Sequence, residues 1–176
     1  LQNRQFNQAQ SYFDSAVENA GDYNKAFYYL SRGVLKADMI EFISSIQSNV
    51  QTLTMDDKGA TRARVGDQVD QMFDYSDAIS DLENAAAIAP DIPYIYFDLG
   101  NLYCLSSQLV SSIENYDRAI QLYPAMGDAY YNRGLVLIYL KDKEKGCIDL
   151  SRAGELGVAD AYSVISKYCE EDNGGK

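Results

Sequence analysis

Three glycines, Gly66, Gly100 and Gly134, stand at equal steps of thirty-four positions, and that interval constrains the fold more than any other feature of the chain. Ala85, Ala119 and Ala153 keep the same spacing, as do Ile88, Leu122 and Leu156. The corresponding segment ends read Pro90, Pro124 and Val158. Four columns sharing one period mean that one supersecondary unit is used repeatedly, and units of this length bury their apolar faces by stacking on one another.

Residues 93–126 show what the unit is. Pro93 suits a first helical turn, where its missing N–H costs nothing. Tyr96, Leu99, Gly100 and Tyr103 then fall on one helical face. Ser106 and Ser107 break the run, and a second face follows in Ile113, Tyr116, Ala119, Ile120 and Leu122. Pro124 cannot continue that helix. Each unit is therefore expected to be an antiparallel helix pair, with Gly100 and Ala119 letting the two backbones approach and Tyr96 and Tyr116 filling the adjoining space.

The columns Tyr96, Leu99, Gly100, Tyr103, Ser112, Tyr116, Ala119 and Pro124 resemble the tetratricopeptide repeat signature, with Ser112 where that family prefers Ala. Residues 127–160 match it at Tyr130, Gly134, Leu137, Leu150 and Ala153 and depart at Arg133, Gly146 and Val158. Residues 59–92 match at Val65, Gly66, Val69, Ala78, Leu82, Ala85 and Pro90 and depart at Arg62. The resemblance implies an all-α fold, an α-solenoid of stacked antiparallel helix pairs in a right-handed superhelix. On this reading 59–92, 93–126 and 127–160 are three units, 161–169 is a capping helix and 170–176 a disordered tail.

The segment 1–58 is less regular and is expected to hold divergent helices from degenerate units. Tyr29-Leu30-Ser31-Arg32-Gly33 echoes Tyr130-Tyr131-Asn132-Arg133-Gly134, although the step from Gly33 to Gly66 falls one short of the repeat interval. Ala9, Phe13 and Ala16 resemble the second helix of another unit. The wording from Gly146-Cys147 to Cys169 resembles bacterial repeat proteins.

Composition narrows the function. Fifteen Lys and Arg against 26 Asp and Glu give a net charge of −11. That sign repels nucleic acid and anionic membrane surfaces and leans toward a neutral or basic partner. No apolar run is long enough to span a membrane. The chain opens on Leu1 rather than Met, so a cytoplasmic protein and an exported one whose signal has been removed both remain open. Cys104 reads as a small core residue, whereas Cys147 and Cys169 fall on neighbouring helices, and a bridge between them is a hypothesis.

Catalytic chemistry finds few candidates. With no histidine there is no Ser–His or Cys–His pair and no histidine zinc site. Neither Gly-rich phosphate loop is present, nor CxxC spacing. Asp67, Asp70, Asp74, Asp77 and Asp81 would form an acidic stripe on one helix, but the repeat frame puts a turn near Asp74. They are expected to be a solvated face, with Asp74 capping a helix. Asp56-Asp57-Lys58-Gly59 reads as a turn. No enzyme activity and no cofactor or metal is expected.

The family binds peptides or extended segments in a groove lined by the first helix of each unit, at its second, fifth, ninth, twelfth and thirteenth places. On this chain those places hold Tyr94, Phe97, Asn101, Cys104 and Leu105, then Asp128, Tyr131, Leu135, Ile138 and Tyr139. A protein or peptide partner is therefore expected on Tyr94, Phe97, Asn101, Tyr131, Leu135, Ile138 and Tyr139, with Asn101 the best polar contact. The alternative is that this aromatic surface covers a second copy of the chain, or the chain's own helices. Some members clamp a C-terminal carboxylate with Lys, Arg and Asn. Here the corresponding places hold Phe97, Tyr94, Asp98 and Tyr131, which argues against a chaperone C-terminus as ligand.

Overall fold

The computed structural model describes residues 2–55 and 74–169, and every regular element among them is an α-helix. The helices are α1 (Gln2–Asn19), α2 (Asp22–Met55), α3 (Ser76–Ile88), α4 (Pro93–Leu105), α5 (Leu109–Leu122), α6 (Gly127–Tyr139), α7 (Lys143–Glu155) and α8 (Asp160–Tyr168). The chain divides into two compact units, Leu1–Ala85 and Ala86–Lys176.

In the first unit α1 and α2 form a hairpin around Gly21, where Asn24 N donates to Gly21 O. Val17, Ala26 and Ala37 are buried, as are Tyr75, Ala78, Ile79, Leu82 and Ala85 at and along the start of α3. Gly33 of α2 is needed because α3 passes against it: a Cβ there would lie 2.1 Å from Leu82 Cδ1 and 3.0 Å from Ala78 O. Gly66 and the matching columns Val65 and Val69 lie outside the described residues. So do the Asp56–Gly59 turn and the tail 170–176.

Asp74 accepts a hydrogen bond from Ser76 N at 2.9 Å, so it caps the start of α3 as expected. The remainder of the acidic stripe does not share one environment. Asp77 is exposed, Asp67 and Asp70 lie outside the described residues, and Asp81 is buried. The expectation of a solvated face is thus corrected for Asp81. Arg32 Nη2 and Nε reach its two oxygens at 2.6 and 2.9 Å, and Lys36 Nζ adds a third contact at 2.7 Å. Two cations are what make burial of that charge tolerable.

In the second unit α4 packs on α5, α6 on α7, and α8 on α7. Pro93 starts α4 at its first turn. The turn ending each first helix uses a non-glycine residue in the left-handed region, Ser107 (φ 61°) and Lys141 (φ 70°), again one repeat interval apart. Gln108 N then reaches back to Tyr103 O at 2.7 Å, and Asp142 N to Leu137 O at 2.9 Å, capping the helix carbonyls. Asp142 caps α7 and takes the Lys145 ammonium at 2.8 Å; that side-chain hydrogen bond holds its carboxyl below the ordinary range.

The core of this unit runs through Ile95, Leu99, Tyr116, Ala119, Ala129, Leu150, Ala153 and Ala161. Ala119, Met126 and Ala129 form one buried cluster, with Tyr96, Phe97 and Ile120 packed around it. Gly100 does not bring two backbones together as expected but leaves room for the Tyr116 ring, whereas Gly134 and Gly146 do let the backbones of α6 and α7 approach. Cys147 of α7 is bridged to Cys169 at the end of α8, with their Cα atoms 5.7 Å apart. Cys104 is free and half-buried, and burial pushes its thiol up.

Candidate interaction surface

The three departures from the repeat pattern in 127–160 are each answered by a different neighbour. Arg133 stands where the preceding unit has Leu99, and its fork grips Asp149 of α7 through Nε and Nη2, each at 2.7 Å. Its third nitrogen pairs with Asp117 of α5, and the guanidinium lies 5.5 Å from the centre of the Tyr130 ring. Burial alone would lower the Arg133 pKa, but the hydrogen bonds and charges of Asp149 and Asp117 outweigh it and raise it. Gly146 stands where the tetratricopeptide pattern has Ala, and a Cβ there would lie 2.6 Å from Ile138 Cγ1. Val158 fits because Gly127 leaves it room, a Cβ there being 2.9 Å from Val158 Cγ2.

The same bracket recurs in the first unit, as the echo between 29–33 and 130–134 suggests. Arg32 holds Asp81 and Asp14 and lies 5.4 Å from the Tyr29 ring centre. Arg133 and Asp149 are 16 residues apart, Arg32 and Asp81 49. These carboxylates are engaged structurally, so neither bracket offers a free acid–base pair.

The face expected to bind a partner is built from α4 and α6, which touch. Tyr94, Phe97, Asn101 and Leu105 form one stripe, and Asp128, Tyr131, Leu135 and Tyr139 form another, offset by one repeat. Their exposure is uneven. Tyr139 is 73% exposed, Tyr94 57% and Leu135 37%, whereas Phe97, Asn101, Tyr131 and Ile138 are half-buried. Phe97 leans inward, its ring 6.1 Å from that of Tyr116. Ile138 turns toward α7 against Gly146.

Asn101 is tied into the unit as well. Its Oδ1 accepts from Tyr116 Oη at 2.7 Å and from Asn132 Nδ2 at 2.9 Å. That amide oxygen is therefore engaged within the unit by two donors. Sequence reasoning missed this chain of bonds, because Asn132 carries no column of the repeat. Burial pushes the Tyr116 phenol well up.

Beside the start of α6 lies an open recess of about 350 Å³, lined by Tyr94, Tyr123, Met126, Gly127, Asp128, Leu156 and Val158 among others. Tyr123 was not among the expected site residues, since it follows the second helix rather than the first. Among the described residues no three of His, Cys, Asp and Glu converge as metal ligands, and no helix is long and apolar enough to cross a membrane.

Paired helices recurring at one fixed interval and presenting first-helix stripes, with Gly100 seating the Tyr116 ring rather than meeting Ala119, form an all-α helical repeat whose fold is of the tetratricopeptide type. Similar folds are found in solved structures. A crystal structure of MamA is 18% identical, with a TM-score of 0.68 over 95% of this chain and 78% of that one. A MamA RS-1 double mutant is 17% identical, with a TM-score of 0.61 over 89% and 68%. The first TPR of Spaghetti (RPAP3), solved with the HSP90 peptide SRMEEVD, is 20% identical, with a TM-score of 0.51 over 53% and 75%. No protein-family model matches the sequence, and no curated protein matches it.

Proposed function

We propose that this protein is a non-catalytic interaction scaffold that holds an extended or helical segment of a partner protein against the stripes of α4 and α6. The observation that carries the reading is the run Tyr131, Leu135 and Tyr139, one helical turn apart, ending in a tyrosine that is 73% exposed. Exposed aromatic side chains beside a half-buried apolar floor are the usual anchors of a protein interface. Tyr94 and Tyr139 would supply contact area at the two ends, Leu135 the middle. Phe97, Tyr131 and Ile138 would support them from below, and Asn101 would fix the floor.

The RPAP3 domain was solved with an acidic HSP90 peptide. Phe97, Tyr94, Asp98 and Tyr131 stand at the clamp positions here and give no basic group for such a tail. The reading therefore favours a neutral or basic segment.

The test is selection of displayed peptides against the full chain, followed by measurement of the selected peptides on variants. Tyr139→Ala should weaken them by roughly 30-fold, an anchor's worth of about 2 kcal/mol, with the melting temperature unchanged. Tyr131→Ala should weaken them too without loss of helical circular dichroism. Selected peptides indifferent to both changes would place the site elsewhere. The same surface suits a second copy of the chain, given that Leu105 and Tyr139 are both exposed. Sedimentation at high concentration separates the two readings, because a monomer leaves the stripes to another protein.

A further inference from the structure

Twice among the described residues a guanidinium lies over a tyrosine ring while its fork grips an aspartate: Arg32 with Tyr29 and Asp81, and Arg133 with Tyr130 and Asp149. The recess beside α6 offers the same acceptors without the cation. Tyr94 and Tyr123 line it, 57% and 43% exposed, and Asp128 supplies a carboxylate. We propose that this recess receives an arginine side chain of the partner protein. The inference rests on the peptide-binding reading above and names the residue chemistry that the partner carries at this point.

Charge supports it first. No lysine or arginine lines the recess, and Asp128 has no cationic partner among the described residues. By contrast Asp81, Asp117 and Asp149 are each held by an arginine. The first turn of α6 would by itself attract an anion, but Asp128 stands in that turn and reverses the local sign. The chain as a whole carries −11, so an acidic segment is repelled and a basic one drawn in.

Shape and chemistry agree with charge. Met126, Leu156 and Val158 form an apolar floor suited to the methylene stem of a long side chain. That floor is fixed, because Gly127 brings α6 against the turn after α7 with no room for a Cβ. A volume of about 350 Å³ sits at the low end of ligand pockets and fits one side chain better than a cofactor. Arginine fits better than lysine, since its planar head stacks on aromatic faces and forks onto a carboxylate together. Tyr94 also belongs to the α4 stripe, so a partner lying along the wall would bring its arginine to the recess in register.

The experiment is a nuclear magnetic resonance titration of the full chain with N-acetyl-arginine methylamide, beside its uncharged citrulline counterpart of the same shape. The arginine compound should give saturable shifts at the amides of Gly127, Asp128 and Gly157, which also lines the recess, and at the rings of Tyr94 and Tyr123; the citrulline compound should not. Asp128→Asn should weaken the arginine compound roughly three- to fivefold, the scale of an exposed ion pair, and Tyr94→Ala should weaken it similarly. Both side chains are exposed, so each variant should otherwise keep the spectrum of the parent. Equal shifts with both compounds, no saturation at Gly127 and Gly157, or indifference to Asp128→Asn would overturn the proposal. The probe is too small to need Tyr131, Leu135 or Tyr139. A negative result here therefore leaves the wall reading standing, and a failed peptide selection leaves the recess tested.

Discussion

Gly134 and Gly146 approach so closely that a Cβ on either would lie 2.9 or 2.8 Å from the other's carbonyl oxygen. The α6–α7 pair thus crosses nearer than the repeat pattern, with Ala at the second position, would allow. Gly146→Ala restores the residue that the tetratricopeptide pattern has at this place and gains helix propensity of roughly 0.5–1 kcal/mol. It also drives a methyl into backbone and Ile138, at about 1–3 kcal/mol. The net expectation is destabilisation by about 1 kcal/mol, within a range of roughly 0–2.5, read as a lower urea midpoint with unchanged m. A stabilised variant would show that the two helices can separate without cost.

The equivalent residue one unit earlier should behave in the opposite way. Ser112 is fully buried and its Oγ makes no well-formed hydrogen bond, although the Tyr116 side chain interacts with it. Ser112→Ala removes a poorly satisfied hydroxyl and nearly keeps the volume, so it should be neutral or stabilising by up to about 1 kcal/mol. Chemical denaturation of the two variants side by side checks both expectations.

Arg133 and Asp149 should prove strongly coupled. Asp149 is almost fully buried, and removing either partner leaves a charge in a poor environment. Asp149→Ala should cost about 3 kcal/mol, and Arg133→Leu a similar amount. The double variant should cost less than the two singles together, with a coupling of about 1–3 kcal/mol in the cycle. Additive losses would mean that the pair contributes nothing beyond its separate contacts.

Tyr116 predicts an alkaline effect. Burial raises its phenol above the ordinary value of 10.0 in the folded state. Its contribution is therefore complete below about pH 10, and it falls as pH rises, because the unfolded chain loses the phenolic proton first. Tyr116→Phe forfeits the hydrogen bond to Asn101 and should cost about 0.5–1.5 kcal/mol at neutral pH. Above about pH 10 the gap between variant and parent should narrow. Urea titrations at stepped pH would show it, and a constant gap would mean that the phenol ionises normally.

The Cys147–Cys169 bridge closes a short loop that ties α8 to α7. Thiol titration of the denatured, non-reduced chain should find one free thiol, Cys104. Replacing both bridged cysteines by Ser should lower stability by about 2–4 kcal/mol. Three free thiols in the protein as purified from an oxidising compartment would remove the bridge from the account.

The all-α repeat fold and the helix-forming segments of α4 to α7 were legible in the chain. Each follows from periodicity and local backbone chemistry, which any short window of residues carries. The stripes of α4 and α6 were legible for the same reason, since a helix fixes which residues share a face. Tertiary structure decided which side chains of those faces are already engaged within the chain. Asn101 read as a contact for a partner, yet Tyr116 and Asn132 reach its oxygen from α5 and α6. Arg133, Gly146 and Val158 read as separate departures, and only packing shows that Asp149, Ile138 and Gly127 answer them one by one. Asp81 read as a solvated acid until Arg32 and Lys36 were found around it, with Arg32 forty-nine residues away. A pattern along the chain reports what each residue can do with its near neighbours. Which distant side chain completes a hydrogen bond, neutralises a charge or fills a gap depends on helices brought together in space, and no local rule encodes that.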